Sequence, residues 1–67
     1  MPNPKAAMLV IGDEILSGRT RDANMHYLAG ELTSHGIDLC EVRVVSDDAP
    51  AIIAAVRALS DSFEHVF

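Results

Sequence analysis

The spacing of apolar positions changes along this chain, and each change marks an element. Residues 6–11, Ala-Ala-Met-Leu-Val-Ile, are apolar without alternation, the pattern of a strand covered on both faces and therefore central in its sheet. Gly12 ends the run, and a residue without Cβ lets the chain turn sharply or lets a ligand approach the backbone. Met25, Leu28, Ala29 and Leu32 stand at i, i+3, i+4 and i+7, one stripe of a helix that Asp22 can cap and that runs to about His35. Gly36 stands where a left-handed residue closes a helix. Gly30, inside the same helix, costs about 1 kcal/mol relative to Ala if exposed, so a close contact is expected there.

Over residues 37–45 the period shortens to two, with Cys40, Val42 and Val44 alternating with Leu39, Glu41, Arg43 and Val45. This predicts a half-exposed strand nearer a sheet edge than the first. Cys40 is expected to be a buried apolar filler within it. Ser46-Asp47-Asp48-Ala49-Pro50 carries turn and cap chemistry, with Asp48 as N-cap and Pro50 in a first helical turn. Ile52, Ile53, Val56 and Leu59 then recur at helical spacing up to about Ser60. A link through Asp61 and Ser62 leads to residues 63–67, the opening of a third strand. Strand, helix, strand, helix, strand implies an α/β fold with a parallel sheet and right-handed crossovers.

Length limits this picture to one small domain. With 67 residues, a single core rarely supplies more than about 3 to 5 kcal/mol, and a lone cysteine excludes an intrachain disulfide. The apolar residues Phe63, Val66 and Phe67 run up to the chain end, so a fragment or a partly ordered longer protein is expected. Aromatics make up 4% against 49% hydrophobic residues, so Ala, Val, Ile and Leu carry the apolar fraction, as suits helices packed on parallel strands.

The net charge of −5 is unevenly spread. Through Asn24, Lys5, Arg19 and Arg21 balance Asp13, Glu14 and Asp22, so the acidic excess lies later. Non-specific nucleic-acid binding needs a basic surface and is disfavoured, while a small anion near Arg19 and Arg21 stays compatible. The first residues form no secretory signal, no run approaches the roughly 20 apolar residues of a membrane span, and a lone thiol agrees with a cytoplasmic location.

Parallel α/β sheets bind ligands beyond the C-terminal ends of their strands. Two segments qualify: residues 12–24, and Ser46-Asp47-Asp48. If their strands are neighbours, Asp13, Glu14 and Asp47 converge, and such carboxylates can bind a divalent cation or ligand hydroxyls, or act as acid and base. In the plainer alternative Asp22 and Asp48 cap helices and Glu14 faces water. Neither a GxGxxG nor a GxxxxGK[ST] motif is present, which excludes the usual dinucleotide and P-loop fingerprints. Ser17, Ser46 and Cys40 have no assignable base, and His26, His35 and His65 are too scattered to share a metal.

Taken in order, Gly12-Asp13-Glu14-Ile15-Leu16-Ser17-Gly18, Asp22-Ala23-Asn24, Leu28, Leu32, Gly36 and Val45-Ser46-Asp47-Asp48 resemble the N-terminal part of the molybdopterin-binding (molybdenum-cofactor biosynthesis) domain, in its CinA-like, competence/damage-inducible branch. Glu14 carries the choice of branch, because relatives devoted to cofactor assembly resemble Ser-Asp-Arg at positions 12 to 14. The resemblance implies a three-layer α/β/α sandwich with a mostly parallel sheet, the first strand lying between the second and third. By this resemblance residues 1–67 are the N-terminal part of a single such domain and supply about its first half.

The resemblance also implies homo-oligomers and a small phosphorylated ligand, a pterin such as molybdopterin or something nucleotide-like. Gly12, Asp13, Glu14, Ser17, Gly18 and Asn24 would bind it. The acidic Asp47 would face them as the candidate catalytic residue, and Asp13 and Glu14 would be the candidate ligands of a divalent metal. Ala23 replaces the Ser or Thr often found before the Asn. Family members continue past the third strand into a Gly-Gly-x-Gly-Pro-Thr loop, whose backbone N–H groups would cradle a phosphate, and Phe67 stands just short of it. Two further roles are implied: a metal-dependent pyrophosphatase acting on ADP-ribose, and an inactive oligomerisation module. Nicotinamide-mononucleotide deamidation, also associated with CinA-like proteins, belongs to a separate C-terminal domain.

Overall fold

The middle of the sheet is β1 (Lys5–Ile11), flanked by β2 (Asp38–Val45) on one side and β3 (His65–Val66) on the other, all parallel. The computed structural model describes residues 3–20 and 24–67. Three helices join the strands: α1 (Asp13–Leu16), α2 (Asn24–Ser34) and α3 (Ala49–Ser62). The order is the expected one, with the unbroken apolar run at the centre and the charged, alternating strand at an edge. From β1 the chain crosses to β2 through α2, then returns over β1 to β3 through α3. Right-handed crossovers in opposite directions set the two long helices on opposite faces. The extents of 39 × 24 × 11 Å fit such a slab, since three strands about 4.8 Å apart span about 10 Å.

The core is small. Ala6, Ala7 and Met8 of β1, Leu32 of α2, and Ala55 and Leu59 of α3 are its buried apolar residues, with Leu59 fully enclosed. Burial fades along β1: Leu9 and Val10 are half-buried and Ile11 is 44% exposed. Coverage on both faces therefore holds only for the first half of the strand. The accessible surface of 4665 Å² exceeds the roughly 4,100 Å² of a compact monomer of this mass. The excess is partly apolar, as Met25 and Tyr27 on α2 and Ile53 and Val56 on α3 stand exposed.

Local chemistry sets the helix ends. The Asp48 carboxylate accepts a 3.1 Å hydrogen bond from the Ala51 N–H at the start of α3, and Pro50 sits in the first turn, as its missing N–H permits. At the end of α2, Gly36 has φ +74°. The Gly36 N–H bonds the Thr33 carbonyl at 3.1 Å and the Ile37 N–H bonds the Leu32 carbonyl at 2.9 Å. This pair is the Schellman closure. The N-cap expected at Asp22 lies outside the described residues.

Four expectations are corrected. Cys40 is exposed rather than buried. Ala6 faces Leu39 while Ala7 faces Glu41, which leaves Cys40 as the extra residue of a bulge, turned out of the ladder. Gly30 makes no close contact, since a Cβ there would meet nothing within 4 Å, because it lies on the outer side of α2. Asp61 and Ser62 are helical, since neither breaks a helix before the Phe63 N–H closes it on the Leu59 carbonyl at 2.9 Å. The third strand is ladder-paired only at His65 and Val66, although backbone bonds from Glu64 to Lys5 and between Phe67 and both Ala7 and Leu9 flank it.

Candidate functional site

The C-terminal ends of β1 and β2 lie side by side, with Ile11 paired to Val45 and the Gly12 N–H bonded to the Val45 carbonyl at 3.1 Å. Past that point β1 does not open into a loop: Asp13 to Leu16 wind into one helical turn. The Leu16 and Ser17 N–H groups bond the Gly12 and Asp13 carbonyls at 3.4 and 2.9 Å. The sequence reading missed this turn because four residues are too few to show a helical stripe.

The turn is locked from behind. The Glu14 carbonyl accepts from the Arg19 N–H at 2.9 Å and the Thr20 N–H at 3.1 Å, and the Ser17 hydroxyl donates to it at 3.2 Å. Arg19 Nε in turn donates to Ser17 Oγ at 2.9 Å. Gly18 has φ +79°, a left-handed conformation that costs other residues roughly 1–2 kcal/mol and that reverses the chain here. Ser17 is thus engaged inside the loop, and Gly18 shapes it.

Two carboxylates reach across the strand ends. Asp13 Oδ1 accepts from the Asp47 N–H at 3.3 Å, a long hydrogen bond that ties the segment after β1 to the segment after β2. A Cβ built on Gly12 would stand 2.7 Å from Glu14 Oε1. The open side of Gly12 is therefore occupied by the chain's own Glu14, folded back over the end of β1. Asp47, expected as a facing carboxylate, meets Asp13 through its backbone N–H instead, a role no side-chain pattern reveals.

Asn24 is the first residue of α2 and is exposed. Ala23, the departure from the expected Ser or Thr, lies outside the described residues. Glu14, Ser17, Gly18 and Asp47 are exposed as well, and the described residues enclose no cavity. What the strand ends form is an open rim.

Among the described residues no three His, Cys, Asp or Glu side chains come together, and one Asp13 oxygen is already committed to the Asp47 amide. The rim offers the Asp13 and Glu14 carboxylate oxygens as acceptors, with the Arg19 guanidinium held beside Ser17 at 2.9 Å.

Comparison with known proteins bears on this rim directly, because the family profile described as "Probable molybdopterin binding domain" matches residues 7–67, both strand ends included. The chain belongs to the molybdopterin-binding domain family. Its CinA-like character is seen in a crystal structure of CinA from Thermoplasma acidophilum, a protein of unknown function. That structure superposes on 98% of this chain with a TM-score of 0.89 at 32% identity, over 39% of its own length. A CinA-like protein of Leptospira interrogans is 37% identical over 59 residues, 88% of this chain and 14% of its own. A probable FAD synthase of Caenorhabditis elegans is 43% identical over 67 residues, 98% of this chain and 13% of its own. The chain thus spans about an eighth to a seventh of the length of these two curated relatives. No helix among the described residues is long and apolar enough to cross a membrane.

Proposed function

We propose that this molybdopterin-binding-like domain binds a phosphorylated pterin or nucleotide-like ligand at the rim formed by the C-terminal ends of β1 and β2. The observation that carries the reading is the Asp47 N–H bond to the Asp13 carboxylate, which joins residues 12–18 and 46–48 into one wall. In this reading Glu14 and Asp47 accept from ring N–H or hydroxyl donors, and Arg19 meets the phosphate. Gly12 lets Glu14 fold back until the ligand displaces it, Ser17 and Gly18 hold the turn in shape, and Asn24 stands at the start of the neighbouring helix. The relatives' names are compatible: FAD, the product named for the worm enzyme, joins a pteridine-type ring to a nucleotide through phosphates, the same chemical class as a phosphorylated pterin.

A pyrophosphatase acting on ADP-ribose would need a metal held between Asp13, Glu14 and Asp47. The described residues bring no three such side chains together, so the geometry favours binding. Titration calorimetry with molybdopterin, FAD and ADP-ribose tests the reading. Saturable heat with at least one of them is expected, weakened roughly tenfold by Glu14→Ala, which removes one charged acceptor. No heat with any of the three overturns it.

A further inference from the structure

Arg19 is anchored through both its backbone and its side chain. Its backbone N–H bonds the Glu14 carbonyl at 2.9 Å, and its side chain doubles back so that Nε donates to Ser17 Oγ at 2.9 Å. Gly18, left-handed at φ +79°, reverses the chain between the two residues and lets their side chains meet. The Ser17 hydroxyl spends its one proton on the Glu14 carbonyl at 3.2 Å. It therefore turns a lone pair to Arg19 and has no proton left to give a ligand.

A guanidinium carries five N–H groups in a planar fork. With Nε taken by Ser17, those on Nη1 and Nη2 remain, and together they match two oxygens of one phosphate. No described carboxylate lies within ion-pair distance of Arg19, although Asp13 and Glu14 are close in the chain. The other lysine and arginine side chains among the described residues are placed differently. Arg43 is tied to Glu41 at 2.7 Å, Arg57 lies in α3, and Lys5 opens β1 at the end away from the rim. Arg19 is thus a cation beside the rim that is oriented without being neutralised. Orientation in advance reduces the entropy a flexible side chain loses on binding.

We propose that Ser17 is a positioning residue, which aims Arg19 at the phosphate of the ligand and acts on affinity only through that arginine. This rests on the ligand reading above, and it places Ser17 behind the ligand contact rather than in it. Two measurements test it, with circular dichroism to confirm that each variant is folded. In nuclear magnetic resonance of the ligand-free domain, the Arg19 Nε–H should exchange with water more slowly than that of Arg57. Ser17→Ala should abolish the difference, and Ser17→Thr, which keeps the hydroxyl, should retain it.

In calorimetry with molybdopterin, FAD and ADP-ribose, Ser17→Ala should weaken each ligand that binds roughly fivefold, the worth of one hydrogen bond. Arg19→Ala should weaken it roughly tenfold or more. In the Arg19→Ala background Ser17→Ala should weaken binding no further, whereas a merely loosened turn would weaken it in both backgrounds. An Arg19 Nε–H that exchanges as fast as that of Arg57 overturns the proposal, as does a Ser17→Ala effect of equal size with and without Arg19. Binding that ignores Ser17→Ala removes the proposal and leaves the ligand reading standing, while no heat with any of the three ligands removes both.

Discussion

Gly30 lies inside α2 and Gly36 just past its end, and substitution by alanine should move stability in opposite directions at the two. Gly30 has open space where a Cβ would go, so Gly30→Ala removes backbone entropy from the unfolded chain and should stabilise by about 0.5–1 kcal/mol. Gly36 holds φ +74°, and Gly36→Ala should destabilise by about 1 kcal/mol through the left-handed conformation. Thermal unfolding followed at 222 nm reads both, with each kcal/mol worth roughly 4–8 °C in a domain of this size. A lower melting temperature for Gly30→Ala would show that a partner surface covers α2 at that point. Asp48→Ala should cost about 1 kcal/mol, the usual worth of an N-cap, in the same assay. Gly36 and Asp48 were legible in the sequence because caps and left-handed turns draw on very few residue types. Gly30 misled because an exposed glycine and a tightly packed one look the same in a sequence.

At the scale of elements, the one-turn α1 and the segment after β2 behave as a unit through Asp13. Asp13→Ala deletes the acceptor for the Asp47 N–H while leaving β1 and its ladder intact. Amide hydrogen exchange at Asp47 and its neighbours should speed up, and exchange in the first half of β1 should not change. Equal exchange at Asp47 in both proteins would mean that Asp13 does not join the two strand ends. Strands and long helices were readable from spacing, since residues 6–11 and the stripe from Ile52 to Leu59 repeat over enough positions to define a period. The rim was readable only as two separate acidic segments. Its closure depends on a backbone N–H, on the fold-back of Glu14 over Gly12, and on Ser17 being held by Glu14 and Arg19.

For the whole molecule, a core with six buried apolar residues among the described ones leaves little reserve. Leu59 is the largest fully buried side chain, and Leu59→Ala should cost about 2–5 kcal/mol, comparable with the roughly 3–5 kcal/mol a core of this size supplies. Loss of the cooperative unfolding transition is the expected result. A cooperative transition retained with a small shift would mean that stability comes from surfaces other than this core. Exposed Met25, Tyr27, Ile53 and Val56 mark where such surfaces lie, one helix on each face of a sheet only three strands wide. Family membership was legible from the ordered motifs around residues 12–18 and 45–48, and the fold class from the alternation of strands and helices.

By itself the sequence determined the order and kind of the elements, the central place of β1 and the end of α2 at Gly36. Each of these depends on side-chain size, hydrophobic period or backbone freedom within a few neighbouring residues. Only the tertiary structure decided that Cys40 is turned outward, that the stretch after β1 is a helical turn, and that Asp13 meets the backbone rather than the carboxylate of Asp47. The turn is too short to show a period, while the other two depend on the register of β1 against β2 and on which segments come within a hydrogen bond of one another, distances set between residues more than thirty positions apart.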